Sequence, residues 1–120
     1  MYDVMGLGEV LIDFTPAGLD DRGRALFARN PGGAVANVVA MNALLGGRCA
    51  FTGKVGDDSF GRFLRDSLTA CGVDCRCLCI SRAIPTTLAF VHPDARGDRS
   101  FTFYRKPGAD ILLEEREVSR

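Results

Sequence analysis

Residues 30–47 read "NPGGAVANVVAMNALLGG", an apolar stretch in which two glycines and an asparagine stand out. Gly32 and Gly33 precede what the pattern predicts to be a helix. Backbone N–H groups at a helix N-terminus bind anions or hydroxyl oxygens, and a glycine there lets a ligand come close. The same pair fits a helix start packed tightly against a strand, and the residues alone leave both readings open. Asn37 lies four residues past Gly33, hence on the same side, facing the helix mouth. An amide inside an apolar helix costs propensity and desolvation unless it is satisfied. Because it both donates and accepts, it suits a polyol. Asp13 closes the apolar run "YDVMGLGEVLIDF" and is the companion of Asn37. A carboxylate beyond a strand end in an open α/β sheet accepts from sugar hydroxyls, or else caps a turn.

Two other glycine-rich stretches fail as phosphate loops. "GLGEVL" has Leu11 where a dinucleotide fingerprint needs its third glycine, and no helix follows at once. "GGRCAFTGKV" puts five residues between Gly47 and Gly53 instead of four, and Val55 stands where a P-loop carries Ser or Thr.

The elements that must position these residues alternate in type. "YDVMGLGEVLIDF" predicts one buried central strand ending near Asp13. Turn formers follow, with one short strand around Arg24–Ala28. "AVANVVAMNALLGG" predicts a helix stopped at Gly46–Gly47, apolar nearly all round and so buried on both faces. "RCAFTGKVG" predicts a strand. "DDSFGRFLRDSLTACG" predicts a helix with Phe60, Phe63, Leu64, Leu68 and Cys71 on its inner face, capped by Asp57 or Asp58 and ended by Gly72. "VDCRCLCIS" predicts a further strand. Strand, helix, strand, helix, strand is the order of an α/β fold, a parallel sheet with crossover helices. Then "PTTLAFVHPDARGDRSFTFYRKPGAD" alternates with period two on both sides of "PDARGD", which predicts a small antiparallel β-hairpin. Leu88, Phe90 and His92 share one face of it; Phe101, Phe103 and Arg105 share a face on the returning strand.

Composition narrows the function. The 120 residues carry 15 Lys and Arg against 15 Asp and Glu, so the formal net charge is zero. That argues against a nucleic-acid or anionic-membrane partner. No secretory signal and no membrane-spanning run is apparent, which implies a cytoplasmic protein. The cysteines at 49, 71, 75, 77 and 79 are odd in number, and the last three alternate as strand residues do. They are read as reduced thiols; paired zinc spacing is missing and His92 is the only histidine.

The segments "GLGEVLIDF", "NPGGAVANVVAMNALLGG", "FTGKVGDDSFGRFL", "GVD", "PTTLAFV" and "RSFTFYRKPGAD" together resemble the N-terminal part of a PfkB/ribokinase-family sugar kinase, on the fructokinase side of that family. The GG-x-x-x-N helix combined with G-x-V-G-x-D-x-F-G is far more specific than any single glycine pair. The resemblance implies a ribokinase-like α/β sandwich with a β lid, formed by about 14–31 and 84–107. It implies ATP- and Mg2+-dependent phosphorylation of a sugar hydroxyl, with fructose going to fructose 6-phosphate. By the same resemblance Asp13, Gly32, Gly33 and Asn37 bind sugar hydroxyls, Phe103 and Arg105 reach the substrate from the lid, and "TGKVGDDSFG" is mainly architectural. Family members are much longer, and their Gly-Ala-Gly-Asp catalytic motif has no counterpart in residues 1–120. The expectation is therefore a chain with the sugar half of a site, no catalytic base, and no turnover alone. The alternatives are a 2-keto-3-deoxygluconate kinase, a ribokinase, or a non-catalytic module dimerising through the lid. Ala89 and Phe103, where kinases for the keto-acid present hydroxylated aromatics, favour the neutral ketose; Arg105 keeps the acidic sugar open.

Overall fold

The apolar run at the N-terminus is two strands, not one. In the computed structural model, which describes residues 1–118, β1 (Val4–Leu7) and β2 (Leu11–Leu19) belong to different sheets. The chain changes sheet across Gly8–Val10, where a side chain on Gly8 would strike Val35 of the first helix. Asp13 is consequently the third residue of β2, inside the second sheet, and not the end of the first strand.

The first sheet is parallel and centred on β4 (Cys49–Gly56). β1 lies on one side of it. β5 (Val73–Asp74) and β6 (Leu78–Ser81) follow one another along the other side, against Cys49–Ala50 and Gly53–Gly56 respectively. The "VDCRCLCIS" strand is thus broken in the middle. Arg76 turns back onto Asp74, and the N–H of Leu78 bonds the Cys75 carbonyl. Cys75 and Cys77 sit in that turn, and only Cys79 is a strand residue. The alternation of the three cysteines has no structural counterpart.

Helix α1 (Ala34–Leu44) leads into β4, and α2 (Ser59–Ala70) connects β4 to β5. Gly46, in the left-handed region, ends α1 as expected. Its apolar residues are not covered all round: Ala36 and Val39 are buried, whereas Val38, Met41 and Leu44 are exposed. The helix packs on β1 and β4 with one face and leaves the other open. In α2, Asp58 and not Asp57 is the cap, accepting from the N–H of Gly61 at 2.7 Å.

The second sheet runs β3-β2-β7-β8, with β3 (Ala25–Gly32), β7 (Leu88–Pro93) and β8 (Arg99–Tyr104). It is two antiparallel hairpins joined by a parallel seam in which Ile12, Asp13 and Phe14 face Leu88, Ala89 and Phe90. The hairpin read from the sequence is therefore half of a mixed four-stranded sheet. The Phe14 ring stacks on Phe90 at 4.7 Å and meets Phe60 of α2 edge-on at 5.7 Å, which ties the sheet to the helical layer. Val10, Ile12, Val39, Phe51, Val55, Leu64 and Leu68 form the core between the layers.

Beyond β8 a 3-10 turn (Ala109–Leu112) and α3 (Glu115–Val118) fold back along β4. Lys54, buried in β4, donates to the Leu112 carbonyl at 3.2 Å and to Glu117 at 2.9 Å. "TGKV" therefore holds this return segment, and "GDDSFG" holds the approach to β7. Asp58 accepts from both the N–H and the hydroxyl of buried Thr86, which in turn accepts from the N–H of Gly56.

Candidate functional site

Residues opposite one another across a sheet point to the same face. The registers place Asn30 opposite Asp13, Asp13 opposite Ala89, and Ala89 opposite Phe103. One row thus crosses all four strands, and it carries two of the expected site residues with the small, buried Ala89 between them. Arg105, two residues beyond Phe103, emerges on the same side and lies over the Phe103 ring at 5.3 Å. Phe103 and Arg105 also line a cleft of about 380 Å³ with Pro85, Tyr104 and Pro107. The other face of the sheet is aromatic, with Phe14, Phe27, Phe90 and Tyr104 in edge or stacked contact.

The two glycines serve different contacts. A Cβ on Gly32 would overlap Oδ2 of Asp13, so this glycine makes room for the carboxylate to lie along the β3 backbone. Gly33 has φ 105°, and a Cβ there would stand 2.5 Å from the carbonyl oxygen of Glu9. Its missing side chain is required by the chain itself, which supplies the structural alternative to ligand approach. Asp13 is half-buried, and burial, reinforced by the nearby charge of Glu9, raises its carboxyl above the ordinary aspartate value.

Asn37 departs from its sequence reading. Its side chain is exposed and makes no hydrogen bond among the described residues, so no desolvation cost has to be offset. It lines a cleft of about 130 Å³ between α1 and α2, with Val10, Pro31, Ser67, Leu68 and Cys71. Asp13 is not part of that lining. The structure gathers Asp13, Gly32, Phe103 and Arg105 around the second sheet, and places Gly33 and Asn37 at the helix entry beside it.

Three residues that the sequence reading did not single out complete the site. Arg105 donates through one nitrogen to Glu9 at 2.8 Å and to Asp110 at 2.9 Å. The second oxygen of Asp110 accepts from the Thr87 hydroxyl, and Asp110 and Thr87 are both buried. Burial works against the charge of Arg105, but the Asp110 and Glu9 carboxylates outweigh it and leave the guanidinium above its ordinary range. The Nε of Arg105 is buried without a partner. The available signal was charge in apolar company: Glu9 in "GLGEVLIDF" and Asp110 in "PGADILL" each call for a partner. The arrangement offers a carboxylate to accept from hydroxyls, an aromatic face to cover an apolar ring surface, and a guanidinium held at its edge.

The chain is similar to known proteins along most of its length. A family model described as pfkB family carbohydrate kinase matches residues 1–120. Fructokinase-1 of Oryza sativa subsp. japonica is 47% identical over 118 residues, covering 97% of this chain and 36% of the rice protein. A fructokinase from Xylella fastidiosa with bound ATP superposes with a TM-score of 0.88 at 38% identity, covering 98% of this chain and 37% of that one. A fructokinase from Vibrio cholerae O395 in a fructose-, ADP- and calcium-bound form superposes with a TM-score of 0.80 at 40% identity, covering 94% and 35%. The chain spans just over a third of the length of the relatives it matches. It belongs to the pfkB family of carbohydrate kinases.

Proposed function

We propose that this pfkB-family chain is the sugar-binding part of an ATP-dependent fructokinase. The observation that carries the reading is the row Asp13–Ala89–Phe103 with Arg105 beside it. In this reading Asp13 accepts from sugar hydroxyls, Phe103 covers the sugar and excludes water, and Asn37 and the N–H groups at the start of α1 complete the hydroxyl contacts. Ala89 leaves room for the sugar and brings no hydroxyl of its own. The second sheet is the lid. Support comes from the fructokinase relatives, one of which holds fructose and ADP.

ATP and its magnesium enter as the second substrate. Among the described residues no group of three His, Cys, Asp or Glu stands ready to hold a metal. The reading therefore routes no step through a metal on this segment. Phosphoryl transfer is positioning plus charge stabilisation, and a segment that positions only the sugar is proposed to be silent alone. The test is an ADP-release assay with fructose, ribose and 2-keto-3-deoxygluconate, run on the 120-residue chain and on a chain of full family length that carries it. Turnover by the short chain would overturn the division of labour; preference of the long chain for the keto-acid or ribose would overturn the choice of fructose.

A second reading rests on β8. All six of its residues are exposed, Phe101 and Phe103 included, and its outer edge pairs with no described strand. Such an edge invites pairing with a second copy, and we propose a homodimer through the lid. Sedimentation over a concentration series, with Phe101→Asp as the disrupting variant, tests it. No helix among the described residues is long and apolar enough to cross a membrane.

A further inference from the structure

We infer that Asp110 sets the charge preference of the proposed sugar site: by holding Arg105 in a buried ion pair, it makes the site favour a neutral sugar over an acidic one. The inference rests on the sugar-site reading and adds a specificity-determining residue to it.

The argument begins with what an acidic sugar would need. A carboxylate ligand is recognised best by a guanidinium that presents two free donors side by side. Arg105 is the cation that follows Phe103 on the candidate face, and it is already engaged. One of its nitrogens donates to both Glu9 and Asp110, and its Nε is enclosed without a partner. An incoming carboxylate would have to displace one of these acids or share the guanidinium with both, with Asp13 near Glu9 as a further negative charge. A neutral sugar meets no such competition, since its hydroxyls can donate to these carboxylates.

Of the two acids, Asp110 is the one that commits the guanidinium. Its side chain is fully buried, whereas that of Glu9 is 42% exposed. Solvent therefore screens the Glu9 pair more than the Asp110 pair. Asp110 also cannot turn away, because its other oxygen is fixed by the buried hydroxyl of Thr87. Thr87 is in turn anchored to β2, where its carbonyl accepts from the N–H of Ile12 beside Asp13. A Cβ on Gly108 would overlap the Thr87 hydroxyl, so the loop from Arg105 to Asp110 is drawn tightly against this anchor. The competing account is that Asp110 merely pins that loop, in which case its loss weakens all sugars alike.

Ligand-observed NMR on the 120-residue chain, with fructose and 2-keto-3-deoxygluconate as probes, separates the two accounts. The wild type is expected to bind fructose in preference. Asp110→Asn is expected to move the ratio of keto-acid to fructose affinity by about 10-fold or more toward the acid, the effect of one charge-assisted hydrogen bond. In the double variant Arg105→Met/Asp110→Asn that gain should vanish. An unchanged ratio, or a gain that survives removal of Arg105, overturns the inference. Glu9→Gln, at a partly exposed position, should shift the ratio the same way by less. Should Asp110→Asn fail to fold by circular dichroism, Asp110→Ser takes its place, and an unchanged ratio in that variant overturns the inference. If the wild type binds neither probe, the sugar-site reading itself fails and takes the inference with it. If the wild type binds fructose while no variant moves the ratio, the inference fails alone.

Discussion

Gly32→Ala and Gly33→Ala are adjacent substitutions with opposite expected outcomes. Gly32 has no positive φ, so alanine is allowed by the backbone there. Its methyl group would overlap Oδ2 of Asp13 and approach Cδ1 of Leu11 at 2.9 Å. Asp13 is half-buried and has to swing to another rotamer, and the Cδ1 of buried Leu11, the far end of a flexible side chain, has to shift as well. The entropy that alanine removes from the unfolded chain offsets part of that strain, and the loss of stability should stay at about 2 kcal/mol or less. On the proposed function, the displaced carboxylate would lose charged hydrogen bonds to a sugar, about 1.5–3 kcal/mol or roughly 10- to 150-fold in affinity. Gly33→Ala meets rigid atoms instead. Its φ is 105°, and the methyl would face the Glu9 carbonyl oxygen at 2.5 Å and the Val10 Cα at 3.2 Å. Backbone strain of about 1–3 kcal/mol plus overpacking of similar size gives about 2–6 kcal/mol, a large share of the stability of a small domain. Urea denaturation measures the first quantity and fructose titration the second. The reasoning is refuted if Gly32→Ala loses as much stability as Gly33→Ala, or if it keeps wild-type fructose affinity.

Asp58→Ala should cost about 2–5 kcal/mol in urea denaturation, since it removes the α2 cap and strands the buried donors of Thr86. The hydrogen bonds from Thr86 and Gly61 outweigh burial and hold the Asp58 carboxyl below its ordinary value. Its contribution is therefore complete above the ordinary aspartate range and is lost as pH falls through the depressed value, so an acid titration of stability should lose its last part in Asp58→Asn. Asp13 has the opposite sign: with its folded value raised, the fold gains as pH falls through the raised value, while on the proposed function fructose affinity would need the ionised acceptor and be lost over that same window. Affinity that is flat down to the ordinary aspartate value would count against Asp13 as an acceptor. The five cysteines form no disulfide with one another, and titration of the denatured chain without reductant should count five thiols. A lower count would show oxidation that this fold does not build in.

The α/β order was legible because each element carries its own local signal: the capping Asp58, the inner stripe Leu64 and Leu68, and the stop at Gly46. The period-two hairpin was legible for the same reason. The break between β1 and β2 was not, because Val10–Ile12 is apolar on both sides of the crossing and periodicity cannot tell one buried sheet from another. The exposure of Asn37 was not legible, since it depends on what packs against the outer side of α1, which no pattern within the helix records. The Glu9–Arg105–Asp110–Thr87 network was hidden by distance along the chain. Each of its members is unremarkable locally, and only the parallel seam brings Thr87 beside β2.

That seam also orders events in time. Its two sides come from opposite ends of the chain, with only Ile12–Phe14 of β2 meeting Leu88–Phe90 of β7. On a ribosome, the β2–β3 hairpin emerges early and its inner edge then waits, with backbone groups unpaired, while α1, β4, α2, β5 and β6 are made. Closing so long a loop is slow and unrewarded until the last strands arrive. The second sheet is thus completed late, and any nascent chain stalled before Leu88 presents an open strand edge to its neighbours.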